Sequence, residues 1–436
     1  MPGPVLTPVV REQIARLGRA DIMVCIPSYK NAATIGHVVR AAHAGLVQYF
    51  PDYRPVLVNA DAGSPDGTGR VVIETEPPDY VESILLVRRA NRLDRVTLTY
   101  PEIDGVGGKG AALRTIFEMA AALDVEALVV VDSDLRSIGP EWIELLAGPI
   151  LKGGFDFTAP LYTRHKHDGT ITNTFTYPLT RALYGLRIRQ PIGGDFGVSG
   201  DLVRHYLQRE DWTPETSKFG VDIWMTTSAI TGGFAVCQAR LGAKVHDPKD
   251  PGADLGPMFR QVVATTLRLA VAHAADWLPV RGSHDVPTYG FERWVDPLPL
   301  PVDGARLLRN FTEGALAHGD TWQSVLPPAT LAVLGDLVRE AGAAADAGPA
   351  AIEAFRVSDE LWAGVVFDFL LAARGASANI EMLADALAPV YFARVASLVG
   401  EARDMESDEA EALVERQARA FELAKPHLVE RWQDDR

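Results

Sequence analysis

Cysteine is nearly missing from this chain. There are two in 436 residues, Cys25 and Cys237, each inside an apolar run. They read as core thiols, which excludes a disulfide framework. Positive charge is in deficit as well. The formal net charge is −15, which argues against a nucleic-acid partner, whose phosphates need a basic face. No stretch of about 18 uncharged apolar residues occurs, so no transmembrane helix is expected. The N-terminus has no basic region followed by a long apolar run, so no secretory signal is expected. A soluble, cytoplasmic protein follows by default. Repeats and long low-complexity tracts are missing too; residues 341–351 form a short Ala/Gly-rich linker. What remains is length and apolar content, with 47% hydrophobic residues. That is enough for one large domain and a smaller one.

The first half alternates short apolar runs with helical spacing. Residues 22–26, 56–58, 81–87 and 127–131 read as strands, and 9–17, 34–46, 67–74 and 111–123 as helices. This spacing predicts an α/β fold with a mostly parallel sheet, Rossmann-like, covered by helices on both faces. Ligands of such sheets bind outside the carboxyl ends of the strands. Pro27 to Asn31, Asp61 to Ser64, and Asp132 to Asp134 all fall there.

Ala127-Leu128-Val129-Val130-Val131 is the most strongly apolar of these runs, and it stops abruptly at Asp132-Ser133-Asp134. Side chains two apart on an extended chain point the same way. Asp132 and Asp134 can therefore reach one hard divalent cation, Mg²⁺ or Mn²⁺. The plainer alternative is a pair of solvated or helix-capping aspartates.

Gly105-Val106-Gly107-Gly108-Lys109-Gly110 satisfies G-x-G-x-x-G, so an NAD-dependent dehydrogenase using this loop is a competing reading. Pro101-Glu102-Ile103-Asp104 precedes it where a strand-to-helix turn is needed, and two strand–helix units come first. A loop that lets Lys109 approach a phosphate, assisted by backbone N–H groups and a helix dipole, is preferred.

Together, Pro27-Ser28-Tyr29-Lys30-Asn31, the Asp61 loop, Gly108-Lys109-Gly110 and Asp132-Ser133-Asp134 resemble a nucleotide-sugar-dependent glycosyltransferase of the A fold type. Four further stretches narrow the resemblance: 138–143, Gln190-Pro191-Ile192-Gly193-Gly194, Phe219-Gly220-Val221-Asp222 and Lys244-Val245-His246. The set is similar to the mannosylglycerate synthases and glucosyl-3-phosphoglycerate synthases over roughly residues 20–270. Asp195 stands where that family has Glu. The resemblance implies a retaining transfer of glucose or mannose from UDP-glucose, GDP-glucose or GDP-mannose to D-glycerate or 3-phosphoglycerate. It also implies a metal at Asp132, Asp134 and His246, and donor contacts from Pro27, Tyr29, Asn31, Asp61, Lys109 and Ser133. Tyr162, Arg164 and Asp195 would meet the acceptor, with Asp222, Gly193 and Gly194 at the reacting centre. An inverting enzyme of the same fold, with Asp195 or Asp222 as general base, is the alternative.

The remaining signals are local. Arg164-His165-Lys166-His167 is a cationic cluster suited to an anionic acceptor, or else a solvated basic turn. His246 follows an apolar strand, 234–245, and is followed by Asp247, Lys249 and Asp250. The expected division places a catalytic domain at 1–270 and a mainly α-helical region at 271–436. In the latter, Ser358 reads as an N-cap and 408–425 as a helix stopped by Pro426. The helical region is expected to pack on the catalytic domain or to supply a homodimer contact.

Overall fold

Ala127–Val131 is buried on both faces because it lies in the middle of a sheet. In the computed structural model, which describes residues 6–78, 93–100, 102, 106–246, 251–292, 299–375 and 379–434, that sheet has eight strands. They are β1 (Ile22–Ser28), β2 (Pro55–Asp61), β3 (Asp94–Thr99), β4 (Ala127–Val130), β5 (Phe157–Thr163), β7 (Phe196–Ser199), β8 (Val236–Ala243) and β10 (Thr288–Tyr289). Two other strands, β6 (Leu186–Arg187) and β9 (His284–Asp285), pair only with each other. The order in the main sheet is β10-β8-β5-β7-β4-β1-β2-β3. Every neighbouring pair is parallel except those of β7, which runs antiparallel to both β4 and β5. The expected α/β class with a mostly parallel sheet is therefore present.

The strand expected at 81–87 lies outside the described residues. The strand that pairs with β2 is Asp94–Thr99, whose Asp-Arg-Val-Thr-Leu-Thr is too polar to stand out in a search for buried runs. It is an edge strand with exposed ends. One sheet face is covered by the Ile35–Tyr49 and Glu141–Gly153 helices. Ile22, Val24, Ile26, Leu57 and Val129 join Val38, Val39, Leu46, Trp142 and Ile143 there in one buried cluster. Full burial of each such side chain is worth about 1.5–3 kcal/mol, so this layer fixes where the strands end.

The chain forms two compact units. The sheet unit comprises Met1–Thr163, Ile192–Asp247 and Val286–Pro297; the other comprises Arg164–Pro191, Pro248–Asp285 and Leu298–Arg436. This differs from a single cut near residue 270. Segments 164–191 and 248–285 belong to the helical unit because their apolar faces are buried among its own helices. Phe175, for example, stacks edge-on with Phe259, which lies flat on Tyr391.

The helical unit is built on Asp359–Ala373, Ile380–Ala402 and Ser407–Asp434. Ser358 caps the first of these as expected, its hydroxyl accepting from the Leu361 N–H at 3.1 Å. Ile380–Ala402 is long and apolar enough to cross a membrane, but 83% of its apolar window is buried inside the protein. The last helix does not stop at Pro426; it continues to Asp434. Its apolar stripe carries on across the proline through Leu428, Val429 and Trp432, all buried, and that burial outweighs the lost backbone hydrogen bond.

Arg394, fully buried, ties this unit together. It donates to Asp359 Oδ1 (2.6 Å), Gln417 Oε1 (2.6 Å), the Val357 carbonyl (2.7 Å) and Glu401 Oε1 (3.0 Å). Removing one partner of a buried pair is costly because the other charge stays behind. Arg394→Met should therefore lower stability by about 3 kcal/mol in chemical denaturation. A loss below about 1 kcal/mol would mean that Arg416, which also binds Asp359 and Glu401, holds the carboxylates unaided.

Candidate active site

The reversed direction of β7 creates the site. Because it is antiparallel, its first residue, Phe196, pairs with Val130, the last of β4. Gly193, Gly194 and Asp195 are thereby delivered to the carboxyl end of β4, beside Asp132. The ends of β5 and β8 arrive at the same place and bring Tyr162 and Lys244.

Asp132 sits between two ammonium groups. Lys109 Nζ donates to Oδ1 at 3.0 Å and Lys244 Nζ to Oδ2 at 2.7 Å. Burial alone would raise the Asp132 carboxyl, but Lys109 and Lys244 together hold it far below the usual carboxylate range. Burial likewise disfavours the Lys109 charge, and Asp132, Asp222 and Asp195 more than restore it. Lys244 also donates to Asp195 Oδ2 (2.9 Å) and the Gly193 carbonyl (2.8 Å). Asp195 has no exposed surface. Its Oδ1 accepts the Asp132 N–H at 2.7 Å, and its Oδ2 accepts the Tyr162 hydroxyl. Burial, reinforced by Asp132 and opposed by Lys244, raises the Asp195 carboxyl.

Asp222 approaches from another direction, in the first turn of the Val221–Thr231 helix. Both its oxygens lie 3.3 Å from Lys109 Nζ, and Oδ1 has no aligned hydrogen-bond donor. The side of the site toward β1 and β2 is built from hydroxyls and amides. Ser28 Oγ donates to Asp61 Oδ1 at 2.9 Å, and the Ser64 N–H to Asp61 Oδ2 at 2.7 Å. Ser133 Oγ and the Tyr29 N–H both donate to Asn31 Oδ1, at 2.9 and 3.0 Å. Tyr29 itself is about half exposed, and Pro27 precedes this corner on β1.

Several expectations change on this geometry. Asp132 does not offer a free carboxylate to a metal, since both oxygens hold lysines. Asp195 is sealed away from any acceptor and acts on its neighbours instead. The helix that starts at Lys109 does not present free N–H groups: those of Gly110 and Ala111 donate to the carbonyls of Lys218 and Ser217, at 3.2 and 2.9 Å. A Cβ on Gly110 would fall 1.8 Å from the Thr216 carbonyl oxygen, so its glycine serves packing. Gly105 lies outside the described residues. With its helix start blocked and Asp132 bound by lysines, the described part of the loop lacks the features of a dinucleotide fingerprint.

The basic cluster after β5 belongs to the helical unit and is mostly structural. Lys166 donates to the Met405 carbonyl at 2.8 Å and to that of Arg403 at 2.6 Å, just past the end of the 380–402 helix. Burial lowers both histidines, His167 to about 4, so they are neutral near pH 7. Arg164 pairs with Asp168 at 2.9 Å.

Asp134 and His246 fare differently. The Arg136 N–H donates to the Val245 carbonyl and the Val245 N–H to Ser137 Oγ, each at 2.9 Å, so the loops carrying the two residues run side by side. Asp134 makes no hydrogen bond or ion pair among the described residues. No group of three or more His, Cys, Asp or Glu gathers among them, so a metal here would take two protein ligands and complete its shell from phosphate oxygens and water, a habit of Mg²⁺. Asp247, Lys249 and Asp250 lie outside the described residues. The role that sequence reasoning missed is that of Lys244, which stood only as part of Lys244-Val245-His246 and was given no contact with Asp132 or Asp195.

No protein-family model and no curated protein matches the chain. Solved structures do show similarity. One is glucosyl-3-phosphoglycerate synthase from Mycobacterium tuberculosis in complex with Mn²⁺, UDP-glucose and phosphoglyceric acid: 26% identity, 61% of this chain and 84% of that one, TM-score 0.42. The same enzyme with Mg²⁺ and UDP aligns at 26% identity over 62% and 85%, TM-score 0.43. A mycobacterial protein aligns at 27% identity over 62% and 80%, TM-score 0.43.

Gly194 has φ +91, and a Cβ there would lie 2.5 Å from Asp132 Oδ2. Gly194→Ala should therefore cost about 1–3 kcal/mol from backbone strain and displace Asp132 from its lysines. Thermal denaturation should show the loss. An unchanged melting temperature would mean that this turn has room to relax.

Proposed function

We propose that this protein is a metal-dependent retaining glycosyltransferase that moves glucose or mannose from a nucleoside-diphosphate sugar to D-glycerate or 3-phosphoglycerate. The observation that carries it is the convergence of Lys109, Asp132, Asp222 and Gly194 at the carboxyl ends of a mostly parallel sheet. A buried cation is held there in a glycine-cleared corner, and Asp134, two residues beyond Asp132, makes no hydrogen bond or ion pair among the described residues.

Asp134 and His246 would hold the metal, with Asp132 placed nearby by its lysines. A bound Mg²⁺ or Mn²⁺ supplies charge to neutralise a diphosphate leaving group. Lys109 adds a fixed positive charge toward the same phosphates. Pro27, Tyr29, Asn31, Asp61 and Ser133 line the nucleoside end of the donor. Gly193 and Gly194 let the sugar approach the backbone. The acceptor attacks on the face that the diphosphate leaves, and its proton passes to a donor phosphate oxygen. Asp222 orients the acceptor and supports positive charge at the sugar carbon. Tyr162 holds Asp195 in place. An inverting base at Asp195 is disfavoured by its complete burial.

The test is an assay of UDP-glucose, GDP-glucose and GDP-mannose against D-glycerate and 3-phosphoglycerate, with proton NMR of the product. An α-linked product from the α-linked donor is expected, with loss of turnover on EDTA treatment and in Asp134→Ala. A β-linked product would overturn retention, and EDTA-insensitive turnover in Asp134→Ala would overturn the metal assignment.

Asp222 gives a pH test. Burial, opposed by Lys109 and reinforced by Asp132, holds its carboxyl above the usual range. Its role needs the anion, which is present above that raised pKa and lost as pH falls through it. The acid limb of kcat/KM should therefore lie above the ~3.9 of an ordinary aspartate and disappear in Asp222→Asn, with kcat much reduced. An identical limb in Asp222→Asn would assign it elsewhere.

A further inference from the structure

The last helix carries an arrangement that sugar transfer does not use. Within the helical unit, the Ser407–Asp434 helix, the Tyr177–Tyr184 helix and the 280–282 segment enclose a cavity of about 730 Å³. That volume suits a small organic ligand. Its wall is cationic: five arginine or lysine side chains line it against three carboxylates.

The cations divide into two kinds. Arg181 and Arg187 are committed, Arg181 to Glu415 (2.6 Å) and Glu422 (3.0 Å), Arg187 to Asp285 (3.3 Å). The other three form no ion pair among the described residues. Arg419 is exposed and has no hydrogen bond or ion pair there. Arg281 donates only to the Leu278 carbonyl, at 2.7 Å. Lys425 is the most telling. It is 5% exposed, lies 5.8 Å from the Trp277 ring centroid and gives a single hydrogen bond, to the Leu183 carbonyl at 2.9 Å. An ammonium has three donors, so two are left on a buried cation. Burial, with Arg281 adding repulsion and Glu422 a weaker attraction, pulls Lys425 down to about 8.

A buried cation without an ion pair is costly, and an anion in the cavity lowers that cost. Such an anion needs more than charge to fill the space. Leu423, 71% exposed, and Pro426 and Val280 line the same cavity and offer it an apolar side.

We propose that this cavity is a binding site for a phosphorylated small molecule, with the phosphate on Lys425, Arg281 and Arg419 and the organic part against Leu423 and Pro426. The site is separate from the one at the sheet and does not rest on the transferase reading.

Isothermal titration of the full chain at fixed ionic strength tests it, with glucose 6-phosphate, inorganic phosphate and glucose as probes. Glucose 6-phosphate should bind saturably and more tightly than inorganic phosphate, and glucose should not bind. Arg419→Glu, at an exposed position that leaves the fold intact, should weaken the sugar phosphate at least tenfold, as should Lys425→Met. Lys109→Ala should leave that affinity unchanged. Absence of saturable binding would overturn the proposal. So would binding that survives Arg419→Glu and Lys425→Met but is lost in Lys109→Ala, because the phosphate would then occupy the site at the sheet.

Discussion

One carboxylate held between two lysines organises the sheet end. Asp132 alone would be an expensive anion to bury. With Lys109 on one oxygen and Lys244 on the other it becomes the fixed point to which three segments attach. Lys244 extends the contact to Asp195 and the Gly193 carbonyl, Asp195 returns a hydrogen bond to the Asp132 backbone, and Lys109 reaches Asp222. Breaking any one of these leaves an unpaired charge in a low-dielectric corner, which is why the segments hold their positions together. The cluster also sets the chemistry. It keeps a lysine charge at the carboxyl end of the sheet, and Asp134, two residues on, makes no hydrogen bond or ion pair among the described residues.

Much of this was legible from residue order. The apolar run before Asp132 and the loops after β1 and β2 fall where the sequence puts them, because buried β-branched runs are local signals. What was not legible depends on partners far along the chain. Nothing in Gly193-Gly194-Asp195 says that the strand after it runs backwards, yet that direction places Asp195 under Asp132. Lys244-Val245-His246 stands out as a stretch, but nothing in it says that Lys244 reaches Asp132. The histidines at 165 and 167 looked cationic until burial made them neutral, and Lys166 looked like a ligand group until it met carbonyls at 403 and 405. Pro426 read as a stop because the sequence shows the missing N–H but not the buried stripe that carries the helix past it.

The two regions of charge described here are handled in opposite ways. At the sheet, every buried cation has a carboxylate and the site is nearly neutral inside. In the cavity beside the last helix, Lys425 is buried without an ion pair. The first pattern holds side chains in place in the absence of ligand. The second leaves free energy to be gained when a ligand arrives.

The margins of the sheet have a further consequence. An open sheet has two borders, and an unpaired row of N–H and carbonyl groups invites another chain to pair with it. Here one border is β10, two residues long, with Pro287 before it and Gly290, at φ +85, after it. The other is β3, which begins with a charged Asp-Arg pair and alternates with threonines. Among the described residues, neither offers the long, flat, apolar rim on which strands from separate molecules stack into a continuous ribbon. Copies of this protein that associate are therefore steered toward side-chain contacts between closed surfaces, and away from fibre growth through a shared sheet.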